Sequence, residues 1–299
     1  MLNRKPQYNE AATHRRQHEA MVAVTAGVAL VLLATLWRRM GQGFDFSDEG
    51  LYLIWIARPW TYDTSFSQFG YIYWPLYELL GGSISGLRRA NLLITTALAA
   101  APLWVLIRTA QFTIRPWVAV AIALTLSCAT LTAYHQWIPT PSYNSLNLNG
   151  LLLVVLGVTL IATTERDRRA TLGAILLGLG GWLTWSAKPT TAIALAPIAA
   201  LYLVAVGTNR WRLLAIALAT TVLMCIIMLL ILDGGSISQH LARYQRAFNF
   251  AQLLDGGHTL KAMIVKSRLM WSSFEGQLFC AIAVFSVIVT WCALGRSST

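Results

Sequence analysis

Carboxylates are scarce in this chain: 12 Asp and Glu stand against 23 Lys and Arg in 299 residues, for a net charge of +11. Charged residues of both signs reach only 12%, where a soluble globular domain carries roughly 25%. That shortage excludes a water-soluble enzyme and leaves an integral membrane protein. Cysteine is equally uninformative as chemistry. Cys128, Cys225, Cys280 and Cys292 all lie in apolar stretches without CxxC or metal-ligand spacing, so they read as small buried hydrophobes and not as a disulfide framework. The five histidines are scattered and none forms an HExxH pair, which argues against zinc. No internal repeat or low-complexity tract is present. The basic excess clusters beside apolar runs, as expected for membrane orientation and anionic lipid and not for nucleic acid.

What is abundant is apolar sequence: 56% of the residues are hydrophobic. About 20 apolar residues cross a bilayer, and stretches of that kind fall near 20–37, 90–107, 117–137, 147–164, 170–187, 189–206, 211–232 and 277–295. The expected fold is therefore an all-α integral membrane protein with eight spans. Residues 1–19 form a polar N-terminal arm, and 20–299 form one polytopic domain. The first span carries Trp37-Arg38-Arg39-Met40 at its end in place of a small-residue cleavage site, so it is expected to be a retained signal anchor. Short-loop arginines (Arg108 and Arg115; Arg166, Arg168 and Arg169; Arg210 and Arg212) put both termini in the cytoplasm. Segments 38–89 and 233–276 then lie outside. Within the first, 48–60 and 71–80 are aromatic-rich, too short to span, and suited to lie in the interface.

Three of the scarce acids, Asp45, Asp48 and Glu49, fall within five positions directly after the first span. One reading is helix capping: Ser47 is a good N-cap, and acids in a first turn contribute about 0.3–1 kcal/mol each. The other is catalytic. Asp48 and Tyr52 are four residues apart and share a helix face, while Asp48 and Glu49 point about 100° apart and can address different groups. A carboxylate held ionised at a helix start can act as a general base.

A DE pair after the first span, followed by Tyr52 and an interfacial helical loop, resembles the polytopic glycosyltransferases of the C-type fold. The pattern is similar to the dolichyl-phosphate-mannose protein mannosyltransferases and the bacterial lipid A aminoarabinose transferases. The resemblance implies transfer of a sugar from a polyprenyl-phosphate donor to an extracytoplasmic glycan, lipid or protein acceptor, in a bacterial inner membrane. It makes Asp48 the base and Glu49 its partner, with Asp45 and Tyr52 nearby. Arg88, Arg89 and Lys188, at outer ends of spans, would hold the lipid phosphate, since fixed cations stabilise a phosphodiester leaving group. Snorkelling is the plain alternative for the arginines. Tyr143 and Asn144 of TPSYNSLN suit sugar hydroxyls, or simply form a Pro/Asn turn. Arg243, Arg246 and His258 in the second outer segment suit an anionic headgroup, or a plain surface helix. No cofactor is expected. Asp48 with Glu49 could hold one divalent ion, but no fuller ligand set is visible, so no metal site is assigned. Two rivals remain: a flippase for a lipid-linked saccharide, and a non-catalytic partner of a glycosylation complex.

Overall fold

The structure is a computed structural model that describes residues 5–43, 48–62, 64–109, 114–132, 139–163, 167–206, 210–253 and 277. The chain forms two compact units, Met1–Tyr244 and Gln245–Thr299. Among the described residues there is no strand. The helices are α1 Lys5–Arg39, α2 Glu49–Ala57, α3 Phe69–Leu79, α4 Ile84–Thr109, α5 Pro116–Ser127, α6 Tyr143–Ala162, α7 Asp167–Ala187, α8 Pro189–Val206, α9 Arg210–Asp233 and α10 Ile237–Leu253. Residues 245–253 of α10 belong to the second unit.

Five helices are long and apolar enough to cross a membrane: Arg16–Arg39, Ile84–Thr109, Tyr143–Ala162, Asp167–Ala187 and Trp211–Asp233. Two expected spans are apolar but shorter, Pro116–Leu131 and Pro189–Val204, and the stretch 277–295 lies outside the described residues save for residue 277. The third expected span, 117–137, leaves α-helical geometry at Ser127 and continues as a 3₁₀ turn over Cys128–Thr132. Its hydroxyls bond back to carbonyls here, Thr125 to Ala121 at 2.8 Å, Ser127 to Leu124 at 2.7 Å and Thr130 to Ser127 at 2.6 Å. Such bonds compete with the α-helical ladder. Helix α1 runs without a break from Lys5, and its membrane-length apolar part begins at Arg16.

Close packing of α6 on α7 comes from two glycine pairs seven residues apart on each helix. A Cβ on Gly157 would lie 2.5 Å from the Gly173 carbonyl oxygen, and one on Gly180 would lie 2.7 Å from that of Gly150. Helices approach this closely in a membrane where small residues remove the intervening side chains. The pairing of 150 with 180 and 157 with 173 makes the two helices antiparallel. By contrast α9 runs parallel to α7, since Arg212 meets Asp167 at 2.7 Å and Thr221 Oγ1 donates to the Gly178 carbonyl at 2.9 Å.

These directions sort the first unit into two ends. At one, Arg115 meets Glu19 and Arg212 meets Asp167. At the other, the ends of α1, α7 and α9 meet the starts of α4, α6 and α8, and α2 and α3 cover them. Tyr52, Ile56, Phe69, Tyr73, Leu87, Leu146 and Ala187 form the core beneath that cover. Helix α2 is short because Pro59 follows Arg58, which is driven out of helical geometry (φ −138°, ψ 64°). Helix α3 ends at Gly81 and Gly82, both at positive φ (63° and 74°).

Candidate functional site

Four of the expected residues come together at the covered end. Helix α2 starts at Glu49, one residue later than a Ser47 cap would give, so Asp48 itself occupies the N-cap position (φ −95°, ψ −14°). It makes no side-chain capping bond there. Its exposed carboxylate instead accepts a hydrogen bond from Tyr52, one turn on, with Oη to Oδ2 at 3.3 Å. The Tyr52 ring stands edge-on to Phe69 and Tyr143, with centroids 5.6 and 5.9 Å away. Lys188 Nζ lies 5.0 Å from the centroid of the Tyr143 ring, a cation–π contact. A carboxylate, two phenols and an ammonium thus form one continuous cluster.

Each member is placed by a local sequence feature. Ser142 and Ser145 form a reciprocal capping box at the start of α6: Ser142 Oγ accepts from the Asn144 N–H at 3.2 Å and Ser145 Oγ from the Ser142 N–H at 2.8 Å. That fixes Tyr143 and Asn144 in the first turn. Lys188 occupies the one-residue break between α7 and α8, where Pro189 opens the next helix. The Lys188 N–H still closes the last turn of α7 onto the Thr184 carbonyl at 2.8 Å.

Burial shifts two of these groups. Burial first, then the neighbouring Tyr143 and Asp48, push the Tyr52 phenol far above its ordinary value. It therefore remains a donor to Asp48 at any working pH. Burial lowers the Lys188 ammonium from its usual range, and among the described residues no carboxylate pairs with it. An anion arriving here would find a cation not already neutralised.

Glu49 and Arg88, which the sequence places among the groups facing the substrate and its phosphate, are both buried at 1% and 3% exposure. Arg88 donates to Glu49 Oε1 from Nη2 at 2.6 Å and from Nε at 3.1 Å. The Thr140 hydroxyl donates to the same oxygen. The remaining donors of Arg88 reach the carbonyls of Met40 (3.2 Å), Gln42 (3.4 Å) and Gly43 (3.2 Å). One guanidinium thus ties the end of α1, the start of α2 and the loop before α6, and the segment carrying Asp48 is held from both sides. Arg89 points elsewhere, over the Trp37 ring at 5.2 Å, with Nε 3.4 Å from the Trp37 carbonyl.

Arg243 lies on α10 and donates to Asp233 Oδ1 at 2.7 Å and to the Tyr71 hydroxyl at 3.3 Å. Arg246 is exposed on the same helix within the second unit. Asp45 and His258 lie outside the described residues. Sequence reasoning missed Thr140, Asp233 and His240, the last with Nδ1 2.7 Å from Asp233 Oδ2. It also missed a neutral network under the cluster. Tyr73 donates to Asn91 Oδ1 at 3.1 Å, Asn149 Nδ2 to the Tyr73 oxygen at 3.3 Å, and Thr95 to Asn149 Oδ1 at 2.8 Å. Polar residues at positions 91, 95 and 149, inside otherwise apolar helices, were the signal for it. Among the described residues no three His, Cys, Asp or Glu side chains group as metal ligands would. No family model, no curated protein and no solved structure matches this chain.

Proposed function

We propose that the chain is a membrane glycosyltransferase of C-type-like fold that moves a sugar from a polyprenyl-phosphate donor to an extracytoplasmic acceptor. In this reading the spans number eight, both termini are cytoplasmic, and the end carrying Asp48 and Lys188 faces outward. One observation carries it: Asp48 stands at a helix start yet leaves the cap unmade, and its carboxylate adjoins a cluster ending in a cation with no carboxylate partner among the described residues. A carboxylate kept only for capping would accept from the N–H groups of the first turn.

The chemistry follows from these groups. Asp48 takes the proton of an acceptor hydroxyl as that oxygen bonds to the anomeric carbon of the donor sugar. The bond from that carbon to the phosphate oxygen breaks, and its electron pair leaves with polyprenyl phosphate. Lys188 offsets the charge that grows on the phosphate. A single displacement of this kind inverts the anomeric configuration. Tyr52 orients the base, Tyr143 and Asn144 line the sugar's side, and the Arg88–Glu49–Thr140 lock keeps Asp48 in place as positioning residues. Phosphate contact falls to Lys188 because the donors of Arg88 are already engaged.

The test is release of free polyprenyl phosphate by the purified protein given defined polyprenyl-phosphate sugars and membrane acceptors. Stoichiometric release with sugar appearing on the acceptor supports the reading. Movement of intact donor across the bilayer without release would make the protein a flippase instead.

A further inference from the structure

Helix α10 begins four residues beyond α9, across Gly234 and Gly235, both at positive φ (56° and 84°). Within the first unit its opening turns have three distinct sides. His240 and Arg243 turn to Asp233, and Tyr244 packs on Phe66 with ring centroids 6.2 Å apart. Ser238 and Gln239 are exposed and polar. Ile237 and Leu241, four residues apart and so on one stripe, are 67% and 63% exposed although both are large and apolar.

An exposed Ile–Leu stripe beside a polar side needs an occupant. Its position names one. The apolar residues Leu223, Ile227, Leu230 and Ile231 run up the uncovered side of α9, one of the helices long and apolar enough to cross a membrane. That greasy side leads into Ile237 across the glycine turn, while the contacts of His240 and Arg243 with Asp233 fix α10 against the end of the span. We infer that the first half of α10 lies in the membrane interface, with Ile237 and Leu241 in the lipid, Ser238 and Gln239 in water, and His240, Arg243 and Tyr244 on the protein. This is the arrangement of an interfacial amphipathic helix. It holds whichever reaction the site performs.

The test uses Ile237→Cys, Leu241→Cys and Gln239→Cys, each in a protein whose Cys128, Cys225, Cys280 and Cys292 are replaced by Ala. Each single cysteine carries a fluorophore in phosphatidylcholine vesicles. A nitroxide on the lipid acyl chain should quench the probes at 237 and 241 at least threefold more than the probe at 239, and aqueous iodide should show the reverse order. Iodide quenching at 237 and 241 equal to that at 239 would overturn the inference. So would protection from both quenchers, which would put a protein partner on this face. If the cysteine-free protein is not recovered, a benzophenone amino acid at the same three positions reads the same contrast. Crosslinks to lipid from 237 and 241 but not from 239 support it, and crosslinks to protein overturn it.

Discussion

At the scale of single residues the cluster divides its charges between exposed and buried positions. Asp48 and Glu49 are adjacent, yet one is exposed and the other buried against Arg88. The contact of Asp48 with Tyr52 was legible in the sequence, because a separation of four fixes a shared face. The pairing of Glu49 with Arg88 was not, because a separation of 39 residues carries no periodic signal of who meets whom. Removing one partner of a buried pair leaves an uncompensated charge, so Arg88→Met should cost about 3–5 kcal/mol. Glu49→Gln, which keeps an acceptor for Thr140 and Arg88, should cost less. Thermal unfolding in detergent checks the order, and equal losses would contradict it. In the proposed reading Lys188 belongs to the working side. Its ammonium is lowered by burial, and a bound phosphate favours its charged form. Donor affinity should therefore be full below the pKa of the free protein's lysine and fall as pH rises through it. Lys188→Ala should weaken donor binding by roughly 2–5 kcal/mol. Lys188→Arg should keep part of it and lose the alkaline fall, since a guanidinium does not deprotonate. A titration of donor KM against pH in the three proteins reads this directly.

At the scale of elements, hydropathy located most helices because lipid imposes length and apolarity together. It could not see that α5 would tighten at its hydroxyl-rich end, nor which helices would touch. The glycines at 150, 157, 173 and 180 were visible as residues but not as a contact, which exists only once α6 and α7 are antiparallel. Gly157→Ala should separate them, since the obstacle is the Gly173 backbone and no side chain can move aside. Overpacking of this sort costs about 1–3 kcal/mol. Gly27→Ala on α1, with nothing within 4 Å of the added carbon, is the control and should be neutral or slightly stabilising. A melting temperature for Gly157→Ala equal to that of Gly27→Ala would show that α6 and α7 do not pack this closely.

For the whole molecule, alternating helix direction delivers Asp48 with Tyr52, Tyr143 and Lys188 to one end from three separate parts of the chain. Spans and loops were enough to place all four on one side, but their contact depends on α2 and α3 folding over the bundle. Sidedness is open to direct measurement. A membrane-impermeant thiol reagent added to intact cells should label Glu78→Cys and spare Arg169→Cys, and the reverse would turn the site inward. The central claim, that this end transfers sugar and that Asp48 is the base, has one most direct test. Asp48→Asn keeps the shape and the acceptor for Tyr52 but cannot accept a proton. The measurement is its transfer rate with a polyprenyl-phosphate sugar, taken on protein whose insertion and melting temperature match the parent. The account predicts a fall of about 10²–10⁴-fold with the donor still bound, and transfer at the parent rate would contradict it.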